Sequence, residues 1–188
     1  MQGDFIMPLF TLTPLIELII TRTVGILGLG ANFLSFQFKK HKHILFFRTL
    51  NEALFIFQYF ILGAYSGAIL NIVGCARNII FTKQVESGKK TTVFQIIFCA
   101  IFTLFGILTF DGFKSVMLIF AKDLSTIAYG NKNTTVIRLV SFLTHICYLG
   151  YNLSVTSYEG AIADGVLLVS LIIGIIRFDL PKLKKEEK

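Results

Sequence analysis

Long apolar runs separated by short polar breaks set the pattern of this chain. A helix that crosses the hydrocarbon of a bilayer needs about 20 mostly apolar residues. Runs of that kind fall at 13 to 36, 44 to 64, 66 to 82, 92 to 110, 113 to 130, 134 to 157 and 159 to 178. The breaks are KKHKH (39 to 43), KQVESGKK (83 to 90), DG (111 to 112), GNKN (130 to 133) and the tail DLPKLKKEEK, while the turns AYSG and TSYEG are almost seamless. The pattern predicts an all-α membrane protein with seven transmembrane helices.

Composition points the same way. Of 188 residues, 54% are hydrophobic and 15% charged, and the mean hydropathy is +0.73. That leaves too little polar surface to cover a water-soluble globule. Basic residues accumulate in cytoplasmic loops, so charge checks the span count independently. Lys39, Lys40, Lys42, Lys83, Lys89, Lys90, Lys132, Arg177, Lys182, Lys184, Lys185 and Lys188 follow the odd-numbered spans, whereas the other side carries only Lys114, beside Asp4, Asp111 and Glu159. This alternation predicts an outside N-terminus and a basic cytoplasmic tail at 179 to 188. It also accounts for the formal net charge of +7 without a nucleic-acid partner. Lipid is the expected partner, and homo-oligomerisation is left open. With Asp4 and no basic stretch before it, the first span is expected to be retained rather than cleaved.

The chain also reads as built twice. YSGAILN (Tyr65 to Asn71) returns 93 positions later as YEGAIAD (Tyr158 to Asp164), each time at an outer turn. The same shift carries span one onto five and two onto six. Span four, 92 to 110, is then a linker between three-helix units at 13 to 82 and 113 to 178. An odd-numbered unit needs one extra span to repeat in parallel, and this 3+1+3 plan is an established transporter architecture.

On these residues the chain resembles a known family. ILGAYSGAILNIVGCARNIIF (61 to 81) and YNLSVTSYEGAIADGVLLVSLIIGIIRF (151 to 178) look like the bacterial inner-membrane YgjV family, grouped with the SWEET, MtN3 and PQ-loop transporter superfamily. The resemblance covers nearly the whole chain. It implies a SWEET-type facilitator or secondary transporter that moves a small polar solute across the bacterial inner membrane by alternating access. In SWEET proteins an Asn on the third span faces another on the seventh across the sugar cavity, and the matching positions are Asn71 and Asp164. A carboxylate therefore replaces one Asn, and the chain has no Trp, which leaves Tyr65, Tyr148 and Tyr151 as aromatic surfaces for a solute. Gln37, in SFQFKK, stands where PQ-loop proteins carry Pro-Gln, without the Pro.

Polar groups inside hydrocarbon require partners, water or a function. The outer half holds Gln58, Asn71, Tyr151, Asn152 and Asp164; nearer the cytoplasm lie Arg48, Asn51, Glu52, Arg77, Asp123, Arg138 and His145. Asn71 and Asp164 each lie five to six residues into their spans, about 8 Å deep, as one shared cavity requires. They suit a polar ligand or cation; interhelical hydrogen bonding is the other reading. Arg77 either snorkels to the cytoplasmic end or contacts an anion in the path. Arg48 and Glu52, four apart, are placed to neutralise each other on one helix face.

Lys122 and Asp123 point about 100° apart, so at least one faces the bundle interior. Asp123, Asp164 and His145 are candidates for proton coupling, with a packing role as the alternative for His145. Gly25 and Gly28 read as packing residues, as do Cys75, Cys99 and Cys147. No metal-ligand set, cofactor loop or catalytic pair is visible. An enzyme is not expected, and a non-transporting sensor or scaffold is the rival class.

Overall fold

A computed structural model describes residues 14–181 except 64, 109, 111 and 155–157. Asp4, Asp111, the turn at 155 to 157 and the basic tail from 182 onward lie outside the described residues, as do the side chains of Lys114 and Glu159. Each apolar run forms an α-helix: α1 (Pro14–Ser35), α2 (His41–Ile61), α3 (Tyr65–Glu86), α4 (Thr92–Leu108), α5 (Phe113–Tyr129), α6 (Thr134–Ser154) and α7 (Tyr158–Gly174), which passes into a π-helical turn at Ile175–Asp179. No strand occurs among the described residues.

Two helices run into the polar breaks. The second starts at His41, inside KKHKH, after an extended Lys40 (φ −95°, ψ 131°). Its first residue is tied down by Nε2 of His41, which donates to the Tyr129 carbonyl at 2.8 Å. The third continues through KQVE to Glu86 and stops at Gly88, whose φ of +69° is open to glycine without strain. There the Lys89 N–H donates to the Gln84 carbonyl (2.9 Å) and the Gly88 N–H to that of Val85 (3.1 Å), a paired closure of the last carbonyls. Charge runs mark where a helix leaves hydrocarbon, whereas helix ends depend on local backbone bonds, so the two need not coincide.

Four stretches are long and apolar enough to cross a membrane: Leu15–Ser35, His41–Ile61, Thr134–Leu153 and Ala161–Asp179. Thr92–Leu108 is apolar but shorter. α3 falls outside this group because it carries Asn71, Arg77 and Asn78, and α5 because it has 17 residues and includes Lys122 and Asp123. Arg77 and Asn78 do not face outward, since both are buried.

α1 packs on α2, α2 on α3, α5 on α6, α6 on α7 and α4 on α5, with lighter contacts from α1 to α7 and from α3 to α4 and α5. Ile44, Leu45, Phe81, Phe98, Phe102, Ala128, Tyr129 and Ile137 form the apolar core. Outside it the usual order is reversed. Leu18, Ile26, Leu27, Ile96, Leu108, Ile162 and Val169 are exposed, while Arg77, Arg138, Asn78 and Thr144 are buried. An apolar outer surface of that extent suits lipid rather than water.

Small residues set the closest helix approach. A methyl at Gly28 would lie 3.2 Å from the Phe55 ring, and the Gly28 carbonyl accepts from Asn51 Nδ2 at 2.8 Å, as expected where glycines let backbones meet. One end of the bundle gathers the basic breaks. Lys42 pairs with Glu86 at 3.6 Å, Lys132 reaches the Gly88 carbonyl at 3.3 Å, and Lys39 lies 5.4 Å from the centre of the Phe178 ring.

Candidate functional site

Between α2 and α3 the site begins with one carboxylate and one guanidinium. Gly74 of α3 leaves room for Glu52 of α2, whose carboxylate a methyl there would strike. Arg77 Nη2 donates to Glu52 Oε1 at 3.0 Å, Asn78 Nδ2 to Glu52 Oε2 at 2.9 Å, and Arg77 Nη1 to Thr126 Oγ1 of α5 at 3.1 Å. Arg77 is 2% exposed, so it does not snorkel to the surface. Nor do Arg48 and Glu52 neutralise each other as their spacing predicts. Both oxygens of Glu52 serve α3, and Arg48 Nη1 donates instead to Asn32 Oδ1 of α1. A partner on a neighbouring helix wins because a buried carboxylate needs several donors at once, more than one side chain on its own face offers.

Tyr129, at the end of α5, joins the two arginines. The Arg48 and Arg77 guanidinium carbons each lie 5.0 Å from its ring centre. The Phe36 ring centre lies 5.9 Å from Arg48, and that of Phe102 of α4 lies 5.3 Å from Arg77. Lys122 of α5 is 5.7 Å from the same Phe102 ring. Guanidinium groups are held well by aromatic faces in a dry interior.

The second half of the site lies between α6 and α7. Asp164, 7% exposed, takes His145 Nδ1 on Oδ1 at 2.9 Å and Asn152 Nδ2 on Oδ2 at 2.7 Å. Tyr148 lies one turn along from His145, with ring centres 5.8 Å apart. The Phe36 ring that lies beside Arg48 meets His145 edge-on, with ring centres 6.2 Å apart, so the two halves of the polar centre adjoin. A carboxylate, an imidazole and an amide placed this way can hold a polar group or pass a proton.

The structure thus brings together Asp164, Asn152 and His145, and places Arg77 in the adjoining cluster. Other predicted residues stand apart. Asp123 accepts from Thr103 Oγ1 of α4 at 2.8 Å, away from the His145–Asp164 pair it was grouped with as a proton carrier. Gln58 donates to the Thr21 carbonyl at 3.1 Å and packs over Gly25, which ties it to α1. Asn71 is half-buried on α3, and no hydrogen bond among the described residues joins it to Asp164. Tyr151 is half-buried on α6. Gln37 donates to the Ser170 carbonyl (2.8 Å) and hydroxyl (2.9 Å), linking the end of α1 to α7.

Asn32, Thr126, Tyr129 and Asp179 belong to the buried polar system although nothing in the linear pattern singles them out, and Asn78 joins them. Asn78 had one visible cue, its place beside Arg77. Asp179 reads in sequence as the first residue of the tail, yet it is 1% exposed. It takes Arg138 Nε on Oδ2 at 2.7 Å and Arg138 Nη2 on Oδ1 at 2.8 Å, with Thr135 Oγ1 adding a third bond at 2.8 Å. Gly174, just before the π-helical turn, leaves room for this: a methyl there would lie 2.7 Å from the Phe36 carbonyl and 3.0 Å from Arg138 Cδ. Among the described residues no group of three or more His, Cys, Asp or Glu side chains is placed to hold a metal ion.

No curated protein and no solved structure matches the chain. A family model, Imp-YgjV, described as a bacterial inner membrane protein, matches residues 19–182. An apolar outer face around a charged interior, together with a match over most of its length, makes this chain a member of the YgjV family of bacterial inner membrane proteins.

Proposed function

We propose that the protein is a multi-pass transporter of a small polar solute, related to the SWEET, MtN3 and PQ-loop superfamily. The observation that carries this reading is Asp164. A carboxylate buried within an apolar helix and held by His145 and Asn152 of the next helix is a costly feature whose best-attested use in membranes is a solute or ion path. All seven helices cross the membrane, with the N-terminus outside and the C-terminus in the cytoplasm. Units 13 to 82 and 113 to 178 rock about α4, and the solute meets Asp164, Asn152, Tyr151 and Asn71 in turn. Proton coupling runs through Asp164 and His145. No covalent chemistry is assigned to the chain.

Two features support the paired-unit plan. Contacts of α1 with α2 and α2 with α3 are matched by those of α5 with α6 and α6 with α7. Glu52 and His145, 93 positions apart, each join the middle helix of a unit to its third. The basic breaks gathered at one end support the orientation.

The test is uptake of labelled sugars, polyols, amino acids and organic acids into proteoliposomes, with Asp164→Asn alongside. Uptake above empty vesicles, lost in the variant, is the expected result. Absence of uptake across the panel overturns it.

One observation favours a sensor or scaffold instead: both oxygens of Glu52 are satisfied within the chain, as purely structural polar glue would be. On that reading Asp164→Asn lowers stability and leaves no binding to lose.

A further inference from the structure

Three arginines are buried in this protein, and they differ in what their side edge, the one carrying Nε, contacts. Arg138 lays Nε and Nη2 on the two oxygens of Asp179. Arg77 directs Nε to Asn78 Oδ1 at 3.1 Å and Nη2 to Glu52. Arg48 is 8% exposed, and its Nε is buried with no hydrogen-bond partner. Its Asn32 contact uses Nη1, on the opposite side of the group. The edge that binds a carboxylate in Arg138 is therefore unfilled in Arg48.

Charge in the same place is unbalanced. Arg77 shares the Tyr129 ring with Arg48 and the Phe102 ring with Lys122, and Glu52 is the carboxylate that meets this row of cations, on Arg77. Glu52 is already committed to Arg77 and Asn78. Asp123, next to Lys122 in sequence, turns to Thr103, and Asp164 is held by His145 and Asn152. Among the described residues no carboxylate lies within ion-pair distance of Arg48 or Lys122. A buried guanidinium with an orphan Nε–H and a half-buried ammonium nearby are the signature of a missing anion, because an unpaired buried charge is retained only against a counter-charge.

We infer that Arg48 and Lys122 form a site for a small oxyanion, a carboxylate or phosphate group, in the core shared by α1, α2, α3 and α5. The Arg48 side edge supplies the planar fork that such a group fits, and the Lys122 ammonium supplies a second charge. The inference deepens the transport reading, since it narrows the polar solute to an anion.

The test is thermal unfolding of the full chain in phosphatidylcholine nanodiscs at constant ionic strength, titrated with phosphate, sulfate or succinate and, as neutral controls, glucose and glycerol. At least one oxyanion is expected to raise the midpoint saturably while the neutral solutes do not, because a ligand specific for the folded state stabilises it. Lys122→Met and Arg48→Lys each weaken that oxyanion's apparent affinity about tenfold or more, the second because Lys lacks the fork; Lys132→Ala, at the exposed end, responds as wild type. Arg48→Lys keeps the test decisive if Lys122→Met fails to fold.

Repeating the titration with phosphatidylglycerol in the disc separates two sources of the same chemistry. A shift that survives identifies a free anion, and one that disappears only there identifies an anionic lipid headgroup competing for the same site. Absence of any oxyanion shift in phosphatidylcholine, or variants that respond as wild type, overturns the site. Anion binding without uptake in proteoliposomes would remove the transport reading and leave the site, whereas uptake of a neutral solute without anion binding would do the reverse.

Discussion

Glu52–Arg77 and His145–Asp164 bridge neighbouring helices in the two halves of the molecule, and they do so with opposite arrangements. In the first half the acid is on α2 and the base on α3; in the second the base is on α6 and the acid on α7. Glu52 faces a permanent cation and an amide, and both its oxygens are used. Asp164 faces an imidazole, a ring that exists in both neutral and charged forms, and an amide on the half-buried Asn152. The same kind of bridge therefore serves as a fixed lock in one half and as an adjustable contact in the other. What differs is the partner's capacity to lose its charge.

The comparison is broken most directly at the lock. Glu52→Gln leaves Arg77 buried without its counter-charge and is expected to cost about 3–5 kcal/mol, measured as loss of thermal or denaturant stability in detergent. A cost below about 1 kcal/mol would mean that the two bridges are equivalent. Adding Arg77→Met to Glu52→Gln should recover most of the loss, since an apolar replacement of both partners removes the unpaired charge.

Of similar size is Asp179→Asn, which leaves the fully buried Arg138 without its counter-charge and is expected to cost about 3–5 kcal/mol. Amide exchange at 175 to 181 should rise more than exchange in α3. A uniform rise along the chain would show that Arg138 and Asp179 support the whole bundle rather than the α6–α7 end.

Asp164→Asn keeps an acceptor for Asn152 and removes the charge, so its expected stability cost is about 1 kcal/mol or less, clearly below that of Glu52→Gln. Its uptake should nonetheless be abolished. Equal destabilisation by the two variants would erase the distinction between lock and contact. Smallest of all is Asn71→Ala, expected within about 0.5 kcal/mol of wild type because its side chain enters no described hydrogen bond. Loss of uptake in so stable a variant would place Asn71 in the solute path.

Much of the fold was legible because its signal is collective. About 20 apolar residues are needed per crossing whatever their order, so the runs at 13 to 36 and 134 to 157 located α1 and α6 within a few residues. The glycines of GILGLGA marked a close helix contact for the same reason, since bulk alone decides it. Ends of helices were less legible. KKHKH and KQVE look like breaks and are partly helical, because a lysine run changes the surrounding solvent without interrupting backbone hydrogen bonds.

Polar partners were legible only in part. Arg77, Asp164, Asn152 and His145 stand out as polar residues in apolar runs, and three of them meet at Asp164. The spacing of Arg48 and Glu52 suggested a pair that tertiary contacts replaced, with Asn32 and Arg77 as the real partners. Asp179 looked like tail because its partner lies 41 positions earlier on another helix.

Sequence alone determined the medium, the number of helices and the polar residues that had to be accounted for, since each follows from hydropathy summed over a short window. Which carboxylate meets which cation, and which cation is left without one, was decided only by the tertiary structure. A side chain's partner depends on the distance and direction between helices, and no local pattern in the chain encodes either.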